Sequence, residues 1–237
     1  MEQLHLNDIT IDVVLKDIKN VHLSVYPPLG RVRIAAPLRM NMDTIRIYAI
    51  SKLGWIKKQQ QNFLAQEREA PREYLYKEGH YFLGRRYLMK IIEHDAPPFV
   101  VLKHHTIELY VRPNTDLAKR QVIMDEWYRQ ELKELAPSII EKWEKLMNVS
   151  MNELAIKKMK TKWGTCNREA KRIWLNLELA KKPLHCIEYI IVHELAHLLE
   201  RSHNDKFVAI MNNFLPEWKH LKNELNQLPV SHSNWEY

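Results

Sequence analysis

Residues 190–199 of the chain read IIVHELAHLL and contain the pattern His-Glu-x-x-His, in which His193 and His197 are four residues apart. Apolar residues surround the pattern almost without a break, and Pro183 lies upstream at a position where a helix can begin. Residues four apart lie on one face of a helix. The stretch therefore predicts a largely buried helix that presents two imidazoles in the same direction.

Two neutral imidazoles on one helix face are suitable ligands for Zn²⁺. Glu194 lies about 100° around the helix from the first histidine, where its carboxylate can reach a water molecule on the metal without being a ligand. It would then act as general base in metal-assisted hydrolysis. The alternative is an ordinary helix without a metal. However, Leu195 and Ala196 indicate burial, and imidazoles and a carboxylate are costly to bury without partners.

A catalytic zinc site needs a third protein ligand, and the sequence leaves three possibilities. His203 lies six residues after His197, which is the ligand spacing of H-E-x-x-H-x-x-G-x-x-H, although Glu200 occupies the glycine position. No convincing Met-turn follows, so the metzincin class is not indicated. Glu217 is an alternative ligand of the Glu-zincin type. In the third possibility, the protein supplies no third ligand.

The first third of the chain alternates between apolar and polar residues as strands do. A meander of short strands precedes a helix that is expected to begin at Asp43 or Thr44 and to reach about Arg68. Two hairpins are then predicted, near residues 81–92 and 99–111.

After residue 113 the pattern becomes helical. Thr115 or Asp116 is expected to cap a long helix, which Pro137 should break before the helix resumes. The remaining elements are two strands and three helices, predicted at residues 154–158 and 172–179 and near residues 184–200, 204–214 and 217–227. The sequence shows no internal repeat.

The composition is that of a globular protein and argues against several functional classes. Of 237 residues, 46% are hydrophobic and 27% are charged, which excludes a disordered chain. With five glycines and no glycine-rich phosphate-binding motif, nucleotide-driven chemistry is not indicated. Two cysteines make no disulfide framework and indicate a reducing compartment. We see neither a signal peptide nor a membrane-spanning stretch, and we expect a cytoplasmic protein without membrane contact.

The net charge is +7, and the basic residues are unevenly distributed. The segment 157–172 contains seven basic residues and a single acidic residue, Glu169. It predicts either an ordinary solvated basic face or a surface that attracts an acidic substrate or a nucleic-acid backbone.

Segments spread over most of the chain carry a resemblance to a known family. They are Ala36-Pro37, Gly54–Lys58, Gly79 with Leu83-Gly84, Met159–Cys166, Ile173–Leu179, Tyr189–His197, Ser202–Asn204 with Phe207, and Pro216–Trp218. In these segments the chain resembles the YgjP-like metallopeptidase family, a relative of the SprT-like and other zincin-type zinc peptidases. Two departures are modest. The family usually has Ser where this chain has Thr165, and an asparagine followed by His-Ser where this chain has Ser202-His203-Asn204-Asp205.

The resemblance implies a zinc site with His193, His197 and His203 as ligands and Glu194 as the catalytic residue. It names no substrate, because the physiological role of the family is poorly defined.

The patterns and the resemblance together predict an α+β fold. Residues 1–112 are expected to form a β-rich N-terminal region with one long helix. Residues 113–237 are expected to form a zincin-like metallopeptidase region with the His-Glu-x-x-His motif on its active-site helix. The boundary near residue 113 is soft, and the two regions can share one core.

In zincin-type folds the strand before the active-site helix is a sheet edge beside the cleft, and the segment Arg172–Leu179 is the candidate here. Its free backbone groups can pair with an extended peptide, or the segment is an ordinary structural strand. Substrate contacts are predicted from Trp174 and Asn176 on this strand and from Trp163 and Gly164 before it. Gly164 itself is expected in a tight turn.

The predicted function is zinc-dependent hydrolysis of peptide bonds in a peptide or protein substrate, with a zinc-activated water as nucleophile and Glu194 as general base. One rival is a nucleic-acid-associated protease that uses segment 157–172 to find protein bound to DNA. A second rival is a non-catalytic binding module stabilised by zinc. A dedicated structural zinc has four protein ligands and no need for Glu194, whereas the sequence offers three credible ligands. This difference favours the enzyme.

Overall fold

The computed structural model describes residues 2–26, 30–65, 72–159 and 162–229. Within these ranges it contains six α-helices and three β-sheets, which confirms the predicted α+β class. The described residues fall into two compact units, one within Met1–Arg68 and the other within Glu69–His232. None of the helices in the described ranges combines the length and the apolar character that crossing a membrane requires.

The N-terminal unit is built on a four-stranded sheet with the strand order β1-β2-β4-β3. Its strands are β1 (Glu2–Leu6), β2 (Ile9–Lys16), β3 (His22–Tyr26) and β4 (Arg31–Pro37). The outer pairs are antiparallel, and the central pair, β2 with β4, is parallel. Alternate residues of β2 point to opposite faces, so that Ile11 and Val13 are buried in the core while Asp12 pairs with Arg31 at 2.6 Å.

Two helices, α1 (Met42–Ser51) and α2 (Leu53–Ala65), contribute to the core of this unit. Ile45 and Ala49 of α1 and Ile56 of α2 are fully buried with the strand residues.

The prediction of a single helix from Asp43 or Thr44 is wrong in two respects. The helix begins earlier, because the side chain of Asn41 accepts the N–H of Thr44 at 2.9 Å and caps the first turn. The helix is also interrupted at Lys52, whose N–H bonds to a carbonyl three residues back and tightens the turn between α1 and α2. The predicted end near Arg68 lies outside the described residues.

The second unit begins with another four-stranded sheet, with the strand order β5-β6-β8-β7. Its strands are β5 (Gly79–Phe82), β6 (Arg85–Glu93), β7 (Phe99–Leu102) and β8 (Thr106–Val111). They form the two predicted hairpins, which are joined by parallel pairing of β6 with β8. The strand order and directions repeat those of the N-terminal sheet, although the sequence shows no repeat.

The long helix α3 (Leu117–Met147) continues through Pro137, so the predicted break is wrong. Asp116 is the residue that caps it, accepting the N–H of Lys119 at 2.8 Å. The buried residues lie three or four positions apart along its whole length: Met124, Tyr128, Leu132, Ala136, Ile140, Trp143 and Met147. Pro137 lies on the exposed side. Packing of the continuous buried stripe therefore outweighs the hydrogen bond that the proline removes.

The C-terminal part of the second unit contains a three-stranded sheet and three helices. The sheet has the order β10-β11-β9, with β9 (Glu153–Lys157), β10 (Gly164–Asn167) and β11 (Arg172–Asn176). The helices α4 (Leu184–Leu199), α5 (Asp205–Phe214) and α6 (Trp218–Gln227) lie close to their predicted positions.

The prediction of one edge strand over residues 172–179 is wrong. Strand β11 is central, because it pairs with β10 on one side and with β9 on the other. It ends at Asn176, whose side chain accepts the N–H of Glu178 at 3.2 Å and caps a 3₁₀ helix, Leu177–Lys181. The side-chain hydrogen bond thus competes with continuation of the strand.

The division between the two units falls near residue 68 and does not coincide with the predicted boundary near residue 113. Strands β5 to β8 share their core with α3 and α4. Tyr128 of α3 also donates a hydrogen bond to the carbonyl of Tyr81 in β5 at 2.8 Å. The second sheet therefore belongs to the same core as the His-Glu-x-x-His helix.

Replacement of Pro137 by Ala is expected to stabilise the protein, because Ala restores a helical N–H and relieves crowding against the preceding turn. We expect the free energy of unfolding to rise by about 1–2 kcal/mol and Tm to rise by about 2–6 °C. Thermal unfolding measures the difference, with Ser138→Ala at the next exposed position as control. A lower Tm for Pro137→Ala would show that packing of α3 requires the proline.

Candidate active site and metal centre

Helix α4 carries the His-Glu-x-x-His motif through the core of the second unit. It packs against α3, α5, α6 and strand β10. Its buried residues are not confined to one stripe, since Ile191, Val192, Leu195 and Ala196 are all inaccessible to solvent. The polar side chains of the motif therefore lie among apolar neighbours, which restrict their charge states.

The start of α4 is held by the turn between β5 and β6. The N–H groups of Leu83 and Gly84 donate to the carbonyls of Ala180 and Lys181, at 2.9 and 3.2 Å. Gly84 has φ +78°, and a Cβ at this position would lie 2.8 Å from Pro183 Cγ, at the first turn of α4. Glycine is required here both by the backbone conformation and by the close approach of the proline.

His193, His197 and His203 form a compact group in which the potential ligand atoms all lie within 4.8 Å of one another. Their ring centroids are 4.7 to 5.0 Å apart. His203 Nε2 lies 3.0 Å from His193 Nε2. Three imidazoles from a helix and the following loop thus converge, as the ligands of a tetrahedral metal ion do when one position is left open.

The short loop after α4 brings His203 back to the helix. Glu200 adopts an extended conformation with φ −138°, so the chain leaves the helix without the glycine that the motif spacing suggested. His197 Nδ1 lies 3.1 Å from the carbonyl oxygen of Glu200, and Asn204 caps α5 with its side chain. The loop is therefore anchored at both ends, one of them on a histidine of the group.

The two glutamates near the site do not join the three histidines. The Glu200 carboxylate accepts the N–H of Ser202 at 3.2 Å and lies 3.8 Å from Lys206 Nζ. Glu217 is the N-cap residue of α6 and belongs to neither group of potential metal ligands formed by the described residues. The geometry therefore favours His203 over Glu217 as the third ligand.

The chemistry of the three donors fits a zinc ion. Burial lowers the pKa of His193 to about 3, and the charges of His197, His203 and Lys222 act in the same direction. Burial also lowers the pKa of His197 and of His203. The imidazoles are thus neutral donors, the form in which histidine binds zinc. Two ring nitrogens only 3.0 Å apart also need a proton or a cation between their lone pairs.

The fully buried Phe207 completes the apolar side of the histidine group. Its ring centroid lies 4.7 to 5.0 Å from the centroids of all three imidazoles. It offers no ligand atom. Its contribution is to fix the three rings by packing and to exclude water from one side of the group.

Glu194 is buried on α4, on the side that faces strand β10. Its exposed fraction is 4%, and a Cβ placed on Gly164 would lie only 2.6 Å from Glu194 Oε1. The carboxyl therefore occupies the space that a side chain at residue 164 would need. Burial raises the pKa of Glu194 to about 8, against the opposing effect of the Lys162 charge. A pKa near neutrality suits a group that accepts and releases a proton.

The four residues predicted to contact substrate separate into two pairs. Trp163 and Gly164 line the cleft that contains the histidines, whereas Trp174 and Asn176 are not among the described residues that line it. The ring of Trp174 lies against basic side chains instead, with Lys157 Nζ 3.3 Å from its centroid. Trp174 points away from its buried strand neighbours because side chains alternate along β11.

Asn176 is buried and connects β11 to the segment that precedes β10. Its Nδ2 donates to the carbonyls of Met159 and Lys162, at 2.8 and 2.7 Å. Its backbone N–H donates to the carbonyl of Trp163 at 2.8 Å. Asn176 therefore helps to position Gly164 over Glu194, and it contacts the site only through other residues.

Strand β10, and not β11, is the sheet edge beside the cleft. Gly164 is its first residue and does not form the predicted tight turn. Gly164, Thr165 and Cys166 line the cleft, and β10 has no second partner strand among the described residues. An edge that can pair with a peptide is therefore present, but on a different strand from the one predicted.

The cleft has a volume of about 500 Å³ and includes residues that sequence reasoning missed. Tyr189 lies one helical turn before His193, a spacing that was visible in the sequence. Burial and the Glu194 charge raise the pKa of its phenol to about 12, so the hydroxyl keeps its proton. Arg201 and Lys222 also line the cleft. Lys222 belongs to α6, and only tertiary packing could identify it.

The basic segment 157–172 does not form one continuous exposed face. Three of its basic residues make contacts away from the cleft, namely Lys157 and Arg172 with Trp174, and Lys158 with Asp125. Lys162 and Arg168 line the cleft, and Lys160 lies outside the described residues.

A second group of potential metal ligands, His185, Cys186 and Glu224, lies between α4 and α6. His185 Nε2 is 2.8 Å from Glu224 Oε1, which links the two helices. Cys186 is fully buried, and burial together with the Glu224 charge raises the pKa of its thiol to about 12. Since the thiolate is the ligand form of cysteine, this group is better suited to a structural role.

Comparison with known proteins identifies a family. A family model described as YgjP-like, metallopeptidase domain matches residues 19–228. No curated protein matches the chain significantly. Two similar solved structures are metallopeptidase zymogens. Abylysin of Pyrococcus abyssi is 20% identical, with a TM-score of 0.35, over 39% of this chain and 97% of that one. Jannalysin of Methanocaldococcus jannaschii is 27% identical, with a TM-score of 0.34, over 38% and 92%.

The family match extends from β3 to α6 and includes the cleft, the histidine group and the buried glutamate. The chain belongs to the YgjP-like metallopeptidase family.

Proposed function

We propose that the protein is a zinc-dependent peptidase in which His193, His197 and His203 bind the metal and Glu194 is the general base. The observation that carries this proposal is the convergence of three neutral imidazoles beside a buried carboxyl in an open cleft. Three protein ligands leave one position of a tetrahedral zinc ion open, as catalytic sites do. A structural zinc would need a fourth protein ligand, and none joins the three among the described residues.

Zinc, when bound, supplies Lewis acidity that acidifies water and polarises a carbonyl group. A carboxylate oxygen of Glu194 accepts a proton from the attacking water. Glu194 later gives this proton to the leaving amine. A cation held by the neighbouring histidines favours the ionised form of Glu194 and opposes the effect of burial on its pKa. Tyr189 keeps its proton in the cleft and is available as a hydrogen-bond donor.

The free edge of β10 is the proposed binding surface for the substrate backbone. An extended peptide can pair with the outer N–H and C=O groups of this strand, as peptides do when they add to a sheet edge. Because Gly164 lies against Glu194, pairing along β10 brings the peptide to the general base.

We expect each of His193→Ala, His197→Ala and His203→Ala to weaken zinc binding by more than about 100-fold. Loss of a residue that only hydrogen-bonds to a ligand typically lowers metal affinity by about 10–100-fold, and loss of the ligand itself should cost more. Glu217→Ala should bind zinc like the wild type. Chelator competition with purified protein measures the affinities. A weaker affinity for Glu217→Ala than for His203→Ala would identify a Glu-zincin arrangement and would refute the proposed ligand set.

Glu194→Gln should retain zinc and fold but lose hydrolysis by about 10²–10⁴-fold or more, because the amide has nearly the same shape and cannot accept the proton. Zinc content and turnover of a cleavable peptide are measured side by side, with Glu217→Gln as a control that removes a carboxylate outside the cleft. Near-normal turnover by zinc-loaded Glu194→Gln would exclude Glu194 as the base.

Gly164→Ala should reduce kcat/KM by about tenfold or more while zinc stays bound. The new methyl group would displace the Glu194 carboxyl, and a misplacement of a catalytic group by about 1 Å can lower the rate by about 10²-fold. Gly54→Ala is the control, since a Cβ there has no neighbour within 4 Å. It should leave turnover unchanged and stabilise α2 by about 1 kcal/mol. Full activity of Gly164→Ala would mean that Glu194 has room to move.

A further inference from the structure

Four basic side chains line the cleft, namely Lys162, Arg168, Arg201 and Lys222. All four are exposed, and none forms an ion pair with a described residue. Glu194 is the sole carboxylate among the described lining residues, and it is buried. The solvent-facing part of the cleft is therefore positively charged.

The four cations come from three segments of the second unit. Lys162 precedes β10 and Arg168 follows it, while Arg201 lies in the loop between α4 and α5. Lys222 lies on α6, where its charge reaches His193. A ligand that enters the cleft is thus exposed to positive charge from several directions.

Carboxylates close to this region make their hydrogen bonds and ion pairs with other partners, although the charge of Arg168 also lowers the pKa of Glu200. Glu200 faces the N–H of Ser202 and the Lys206 ammonium group. Glu224 on α6 faces His185, between α4 and α6. None of the four cations is held in an ion pair with a described carboxylate, so each can approach an external anion.

We propose, resting on the proposed peptidase function, that the cleft selects peptides that carry Asp or Glu residues on either side of the scissile bond. A polypeptide is favoured over a nucleic acid because the open edge of β10 offers backbone hydrogen bonds to an extended peptide. Lys162 and Arg168 are six residues apart, which is at most about 20 Å along an extended chain. They can therefore reach acidic side chains on both sides of a peptide bond held near Gly164. Clustered cations in a cleft also raise the local concentration of an acidic ligand.

The test uses three fluorescent peptides of one length and one central sequence, with flanking positions that are acidic, neutral or basic. Wild-type zinc-loaded protein is assayed for kcat/KM, and zinc-loaded Glu194→Gln is assayed for binding by anisotropy. We expect the acidic peptide to exceed the basic peptide by about tenfold in both assays at low salt, because several exposed charge pairs each contribute a modest amount. The ratio should fall as the ionic strength rises from about 0.05 to 0.5 M.

Charge reversal identifies the source of the preference. Lys222→Glu should lower the ratio of acidic-peptide to neutral-peptide binding and cleavage by about three- to tenfold. Lys219→Glu changes the net charge equally and lies on the same helix, but Lys219 is outside the cleft lining and next to the Trp218 ring. It should behave like the wild type.

Equal binding of the three peptides, or equal losses in Lys219→Glu and Lys222→Glu, would overturn the acidic preference. Stronger displacement of the acidic peptide by a single-stranded DNA oligonucleotide than by unlabelled acidic peptide would overturn it as well, in favour of a nucleic acid. Cleavage without charge preference would refute this inference alone. Absence of any cleavage above the level of Glu194→Gln would refute the peptidase function, while the binding assay would still test the preference.

Discussion

The Glu194 carboxyl is buried in an apolar core, and the arrangement of several neighbouring elements in the second unit depends on its burial. A carboxyl is costly to bury without compensation, and here burial raises its pKa to about 8. Space for it exists because residue 164 is a glycine. The segment before Gly164 is in turn held by the side chain of Asn176. Strand β10, its loop and the active-site helix are thus fitted to one another around a single polar group.

The helix and the histidine group could be predicted from the sequence because their signals are local: His193 and His197 share a face through helical spacing alone. Strand β10 could not, since four residues without apolar alternation become a strand only through pairing with β11. The predicted break at Pro137 is wrong for the converse reason: the local effect of a proline is outweighed by a buried stripe that continues on both sides of it. The boundary between the two units depends on how elements far apart in the sequence pack together, and a local sequence pattern does not predict this packing.

The buried ionisable groups of the cleft differ in charge from the exposed ones. The deepest ionisable groups, the imidazoles and the Glu194 carboxyl, are shifted towards their neutral forms by burial. The exposed rim carries cations such as Arg168 and Lys222. A cleft of this kind keeps its imidazoles unprotonated while it presents a positive surface to an approaching ligand. The sequence indicated an excess of basic residues, but only the fold distinguishes those that face the cleft from those that lie against Trp174.

Pro183 is the N-cap residue of helix α4 and makes no side-chain cap, and the β5–β6 turn contacts it through Gly84. The hairpin thus packs against the start of helix α4, although it lies far upstream in the sequence. The C-terminal half of the chain therefore depends for this contact on an element that precedes it. A fragment that starts at residue 113 would keep every proposed ligand and the proposed general base. It would lack the β5–β6 hairpin that contacts the start of helix α4.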